Sequence, residues 1–218
     1  MKTYRPHDLL LIGDADQQQG GAFNTPLPAW AKLHWPVVVR RAPSSTDGVW
    51  LPVGVRGTVR HERFPAMLRH SAVQGCITPK SLLTGCAWQQ HPQFDHFAAV
   101  IALSKIARIL SELNLPCGPT GSVGFALASG VSILRADSDL DLLVRASESL
   151  SKPATELLHH IQQEAQSHQC RIDIQIDTGF GGFAFDEWAR HPKKVLLKTD
   201  AGPILTDAPW STSMKSIV

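Results

Sequence analysis

The chain has 218 residues, 43% of them hydrophobic and 18% charged, which excludes an intrinsically disordered protein and allows one large domain or two small ones. A formal net charge of +2 is too small to mark a nucleic-acid binder without a local basic patch. The apolar run Leu9 to Ile12, followed by Asp14 and Asp16, is too short for a signal-peptide core or a membrane span, so a cytoplasmic protein without membrane or nucleic-acid partners is expected.

The first ~90 residues, rich in Pro, Arg and Trp, read as short strands joined by turns. Pro36 to Ala42 is one strand candidate and Val49 to Gly57, interrupted by Pro52, is another, with Asp47–Gly48 as the turn signal of a hairpin. The texture changes near His91 to Asp95. Phe97, Val100, Ile101, Ser104, Ala107 and Leu110 then fall on a helical spacing, with Pro116 beyond the stop. After Gly121–Ser122 comes a short apolar helical segment closed by Gly130 as C-cap. Asp139 to Val144 alternates as a strand, and Ser151 with Pro153 opens a helix through Leu157, Leu158, Ile161 and Ala165. Arg171 to Asp177 alternates again, presenting Arg171, Asp173, Gln175 and Asp177 on one face. Two short strands, KKVLLKT and GPILT, follow. The pattern predicts an α+β fold: a mixed sheet with flanking helices over residues 93–218, preceded by a smaller strand-rich part over residues 1–92.

Cys76, Cys86, Cys117 and Cys170 show no CxxC spacing, and the ten histidines form neither HxxxH nor HExxH; free thiols and no zinc site are expected. Trp30, Trp35, Trp50 and Trp88 read as packing residues.

The chemistry-bearing motif is SDLDLLV. Alternation points Asp139 and Asp141 to one face, about 6.6 Å apart along the strand, while Leu140 and Leu142 anchor the other. Two carboxylates together repel unless a divalent cation neutralises them, and Mg²⁺, with Mn²⁺ as substitute, takes one or two carboxylates plus substrate phosphates. Asp173 supplies a third carboxylate if its strand pairs beside the first, as a further ligand or as the base for an attacking hydroxyl. Gly121 and Ser122, ahead of a helix, let backbone N–H groups and a hydroxyl approach a phosphate. DxD by itself is common on solvated edge strands, and Gly-Ser is an ordinary turn; it is their combination that points to phosphoryl transfer. Arg40, Arg56, Arg60, Arg63, Arg145 and Lys198 are candidates for holding phosphates against a background of ordinary surface charge, with Arg56 and Lys198 the selected pair.

GSVGFALASG, SDLDLLV and RIDIQID together resemble the nucleotidyltransferase superfamily over roughly Pro116 to Asp177, although the interval from Ser122 to Asp139 is longer than in many members. Adding PHDLLLI, LPVGVRG, EWAR at Glu187 to Arg190 and KTDAGPIL at Lys198 to Leu205, nearly the whole chain resembles the phosphoribosyl-dephospho-CoA transferases, the holo-acyl-carrier-protein synthases of malonate decarboxylase. The resemblance implies a nucleotidyltransferase-like catalytic part with Mg²⁺ on Asp139 and Asp141, and transfer from triphosphoribosyl-dephospho-CoA to a serine of the apo acyl carrier protein, releasing pyrophosphate. It leaves residues 1–92 for recognition of substrate or carrier protein. Modification of a small hydroxylated molecule by a simpler nucleotide, or a noncatalytic binding module, are the alternatives; the acceptor separates the first and failure to bind Mg²⁺ with nucleotide would mark the second.

Overall fold

The computed structural model describes residues 3–13, 21–43, 45 and 47–211; Asp14 and Asp16 lie outside these. The chain is α+β, built on two sheets. The first is five-stranded, in the order β4-β3-β2-β1-β5, formed by β1 (Leu9–Ile12), β2 (Val37–Val39), β3 (Trp50–Arg56), β4 (Arg63–Arg69) and β5 (Val73–Ile77). Every pairing in it is antiparallel. The expected hairpin is present, with Val38 opposite Gly54 and Gly48 at φ 67° in the turn. Pro52 does not interrupt β3, because β2 ends at Val39 and only the Pro52 carbonyl is engaged on that side, accepting from Arg40 N at 2.9 Å.

The second sheet is six-stranded, β11-β10-β9-β8-β7-β6. Its elements in chain order are α1 (Pro79–Thr84), α2 (Ala98–Glu112), β6 (Cys117–Pro119), α3 (Gly121–Ser129), β7 (Leu140–Arg145), α4 (Lys152–Ser167), β8 (Ile172–Asp177), β9 (Gly182–Ala184), α5 (Phe185–Ala189), β10 (Val195–Thr199) and β11 (Gly202–Thr206). Among the described residues only β7 and β8 run parallel, so they need the crossover that α4 provides. Ser151 caps α4 as expected, its hydroxyl accepting from Ala154 N at 3.3 Å, with Pro153 in the first turn. Gly130 ends α3 at φ 70°, its N–H donating to Ala126 O.

Leu103, Ile106, Leu140, Leu142, Ile161 and Ile176 form the centre of the second core; Leu10, Val53 and Leu68 centre the first. Two expectations need correction. The buried stripe of α2 is Ala99, Val100, Ala102, Leu103, Ile106 and Leu110, whereas Ile101 and Ser104 face solvent; the more apolar of two overlapping stripes takes the core. Residues 79–92, expected with the N-terminal part, contribute Leu82, Leu83 and Trp88 to the second core, so the change of sheet falls just after Ile77. Trp35 likewise packs edge-on against Phe125, at 6.0 Å between ring centroids.

The two sheets meet at a buried ion network. Asp177, 1% exposed, pairs with Arg41 at 3.1 Å and Arg5 at 3.3 Å, while Arg145 reaches Asp8 at 2.8 Å and the Pro6 carbonyl at 3.1 Å. No helix among the described residues is long and apolar enough to cross a membrane.

Candidate active site

Where β6 gives way to α3, the backbone is locked to β7: Thr120 N donates to Asp141 O at 2.8 Å. Gly121 follows at φ +59°, and a Cβ there would lie 1.8 Å from Asp141 Oδ2. Glycine is therefore required twice, for its backbone angle and for the space the carboxylate fills. One strand over, the parallel register sets Asp173 directly opposite Asp141, so both acids stand on one face of neighbouring strands, with about 4.8 Å between the strands. Leu140 and Leu142, buried on the other face, fix that orientation.

This face lines a cleft of about 1040 Å³ between the two sheets, ample for a coenzyme-sized ligand. Asp141, Asp173, Gly121 and Lys198 form part of one wall, and Arg40, Arg56 and Arg63 of the first sheet line the other. Arg56 extends its Nη1 to 3.5 Å from the Gly121 carbonyl and lies over the Phe125 ring at 5.3 Å. Burial, then Arg63, pull the Arg56 pKa down to about 10, with Asp141 opposing; it stays charged at neutral pH. The Asp141 carboxyl is pushed above the ordinary carboxylate range, first by burial and then by Asp173 and Asp139, with Arg63 and Arg171 opposing.

The sequence candidates are therefore distributed unevenly. Asp141, Asp173, Gly121, Arg56 and Lys198 line the cleft; Ser122, in the first turn of α3, and Asp139, just ahead of β7, do not. Asp139 is half-exposed, 3.9 Å from Arg171. Arg145 is withdrawn into the ion network, where its pairing with Asp8 holds the sheets together. Sequence reading passed over Arg171, which grips Asp173 at 3.1 and 3.2 Å, and His7, which lines the cleft from the first sheet. Arg171 had a signal, since it begins the alternating RIDIQID run; His7 had only its place in the PHDLLLI motif.

Among the described residues no group of three or more His, Cys, Asp or Glu side chains forms a ready-made metal cage. The donor chemistry nonetheless fits a hard divalent cation that keeps part of its coordination for substrate. Asp141 is a desolvated carboxylate raised by like charges, and no protein cation or hydrogen-bond donor contacts it among the described residues. Such a group gains from an added cation, and Mg²⁺ needs only one or two carboxylates when phosphates complete its shell.

Carboxylates on adjacent parallel strands face guanidiniums across a coenzyme-sized cleft, an arrangement whose charges suit a phosphorylated ligand, and kinship places the chain among transferases. Residues 5–79 match the family model described as the phosphoribosyl-dephospho-CoA transferase MdcG N-terminal domain, and residues 86–209 match that of the C-terminal domain. A Pseudomonas putida (strain GB-1) protein named phosphoribosyl-dephospho-CoA transferase is 36% identical over 216 residues, covering 99% of this chain and 100% of its own. Proteins of the same name from Pseudomonas aeruginosa PAO1 and Klebsiella pneumoniae (strain 342) are 38% and 37% identical, covering 94% and 95% of this chain and 93% and 97% of theirs. No solved structure matches. The chain belongs to the phosphoribosyl-dephospho-CoA transferase family.

Proposed function

We propose that the chain transfers the phosphoribosyl-dephospho-CoA group of triphosphoribosyl-dephospho-CoA to a serine hydroxyl of the apo acyl carrier protein of malonate decarboxylase, by nucleotidyltransferase chemistry. The observation that carries this reading is the in-register pair Asp141–Asp173 facing a guanidinium wall across a cleft large enough for the donor. The serine oxygen attacks the α-phosphorus and forms a P–O bond as the bond to the β-phosphate oxygen breaks; pyrophosphate leaves and the hydroxyl proton passes to a base. Asp141 at the cleft wall, together with half-exposed Asp139 just ahead of β7, would hold a Mg²⁺ or Mn²⁺ ion, which would supply neutralisation of the triphosphate charge.

The chain's own groups divide the remaining work. Arg171 grips both oxygens of Asp173, fixing its direction beside Asp141 either as a further ligand or as the group that takes the serine proton. The start of α3 brings Gly121 and Ser122 backbone amides toward the phosphates. Arg56 and Lys198, on opposite sides of the cleft, neutralise the leaving pyrophosphate. The N-terminal sheet recognises substrate or carrier protein.

The test is intact mass of apo carrier protein incubated with the chain and triphosphoribosyl-dephospho-CoA, with and without excess chelator. A mass gain equal to the donor minus pyrophosphate, abolished by chelator, is expected. No gain overturns the acceptor, and full turnover in chelator overturns the metal.

A further inference from the structure

The hairpin formed by β3 and β4 ends in an unusual pair. Arg56 and Arg63 are the last register partners before the turn, so two guanidinium side chains stand directly opposite each other, an arrangement that is destabilising across a strand pair. The turn contains one acid, Glu62, and it is engaged elsewhere. Its Oε2 accepts from Thr58 N at 2.8 Å, Val59 N at 3.3 Å and Thr58 Oγ1 at 3.2 Å. Gly57 permits this, because a Cβ there would sit 2.2 Å from the same oxygen. Among the described residues neither arginine forms an ion pair with a carboxylate, and the Arg56 Nε is buried without a hydrogen-bond partner. Both side chains line the cleft on the side facing Asp141.

Such repulsion is relieved by an anion with several charged oxygens, and a planar guanidinium fork matches phosphate oxygens two at a time. A single carboxylate can offer each of two arginines only one oxygen; a polyphosphate chain offers both a two-oxygen contact. We propose that Arg56 and Arg63 form a polyphosphate clamp, supplied by the first sheet, that binds the triphosphate chain of the donor without help from the carboxylates or a metal. The identity of the anion rests on the proposed function. The clamp accounts for how the N-terminal sheet takes part in chemistry whose acids all belong to the second sheet.

The probe is inorganic triphosphate, titrated calorimetrically into the full chain in the presence of chelator. Wild type is expected to bind, with affinity falling steeply as salt rises. Arg63→Gln should weaken binding about tenfold or more, as loss of a charge-assisted contact implies, and Arg63→Lys should fall between. Arg108→Gln, a change at an exposed site on α2, serves as control and should bind as wild type. Arg63 is exposed, so Arg63→Gln should melt no lower than wild type, and relief of the repulsion should raise the midpoint. Undiminished binding by Arg63→Gln, or no binding by wild type, overturns the clamp. Run beside the carrier-protein mass assay, the two ideas separate: carrier modification with normal triphosphate binding by Arg63→Gln sinks the clamp alone. Clamp-dependent binding without carrier modification sinks the proposed transfer and leaves the clamp standing.

Discussion

Asp141 sits where a carboxylate is least comfortable: half-desolvated, opposite Asp173, near Asp139 and pressed against Gly121. Because the fold raises its proton affinity, its contribution to stability is fully present below the ordinary carboxylate range and is lost as pH rises through the raised value. Asp141→Asn removes that penalty. The variant is expected to melt higher than wild type at pH 7 and level with it near pH 3, as thermal melts across pH will show. Carrier-protein modification should nevertheless fall by about 10²–10³, the consequence of losing about 3–4 kcal/mol of transition-state stabilisation. An unchanged initial rate would remove Asp141 from the chemistry. That Asp141 and Asp173 each take the polar face of their own strand was legible, because strand alternation is local and both runs are short and unbroken; that the two strands pair in register came from the fold. That Arg63 and Arg171 approach them was not, since those neighbours are set by which strands pair.

At the scale of elements, α4 fixes the relation between the two acids, since it is the crossover that lets β7 and β8 run parallel. Its N-cap is a hydroxyl contact, Ser151 to Ala154 N. Ser151→Ala should destabilise the protein by about 0.5–2 kcal/mol, read from urea midpoints at unchanged slope, while the rate per folded molecule stays as wild type. A rate loss larger than the folded fraction explains would assign Ser151 a role beyond capping. Helices α2, α3 and α4 were readable from caps and punctuation, since Ser151, Pro153, Gly130 and Pro116 act over a few residues; α1, whose Pro79 and Leu82 line the cleft, lies where only strands were expected. The faces they bury were harder. Two apolar stripes of α2 overlap, and the choice of Leu103 and Ile106 over Ile101 is made by the sheet beneath. The short strands β5 and β9, VQGCI and GFA, carry too little periodicity to announce themselves, and the placement of residues 79–92 depends on Leu82, Leu83 and Trp88 finding the second core.

For the whole molecule, the junction between sheets is electrostatic. His7, at φ 72°, sits within the network, its pKa lowered to about 4 mainly by burial and by Arg41, against Asp177 and Asp8. A histidine held neutral contributes stability that is fully present above its ordinary pKa of about 6.5 and is lost as pH falls toward 4. Between pH 6.5 and 5 the wild-type melting temperature should therefore drop, and His7→Asn, whose side chain tolerates positive φ, should flatten that part of the profile. Equal slopes for the two proteins would take His7 out of the junction. The network also joins residues far apart in the chain: Arg145 and Asp8 are separated by 137 positions, Arg5 and Asp177 by 172. During synthesis at about 5–20 residues per second, the first sheet emerges roughly 3–20 seconds before these partners exist. Asp8 and Arg41 then face water on the ribosome, and the two halves are joined only after the last of the parallel strands has left the exit tunnel.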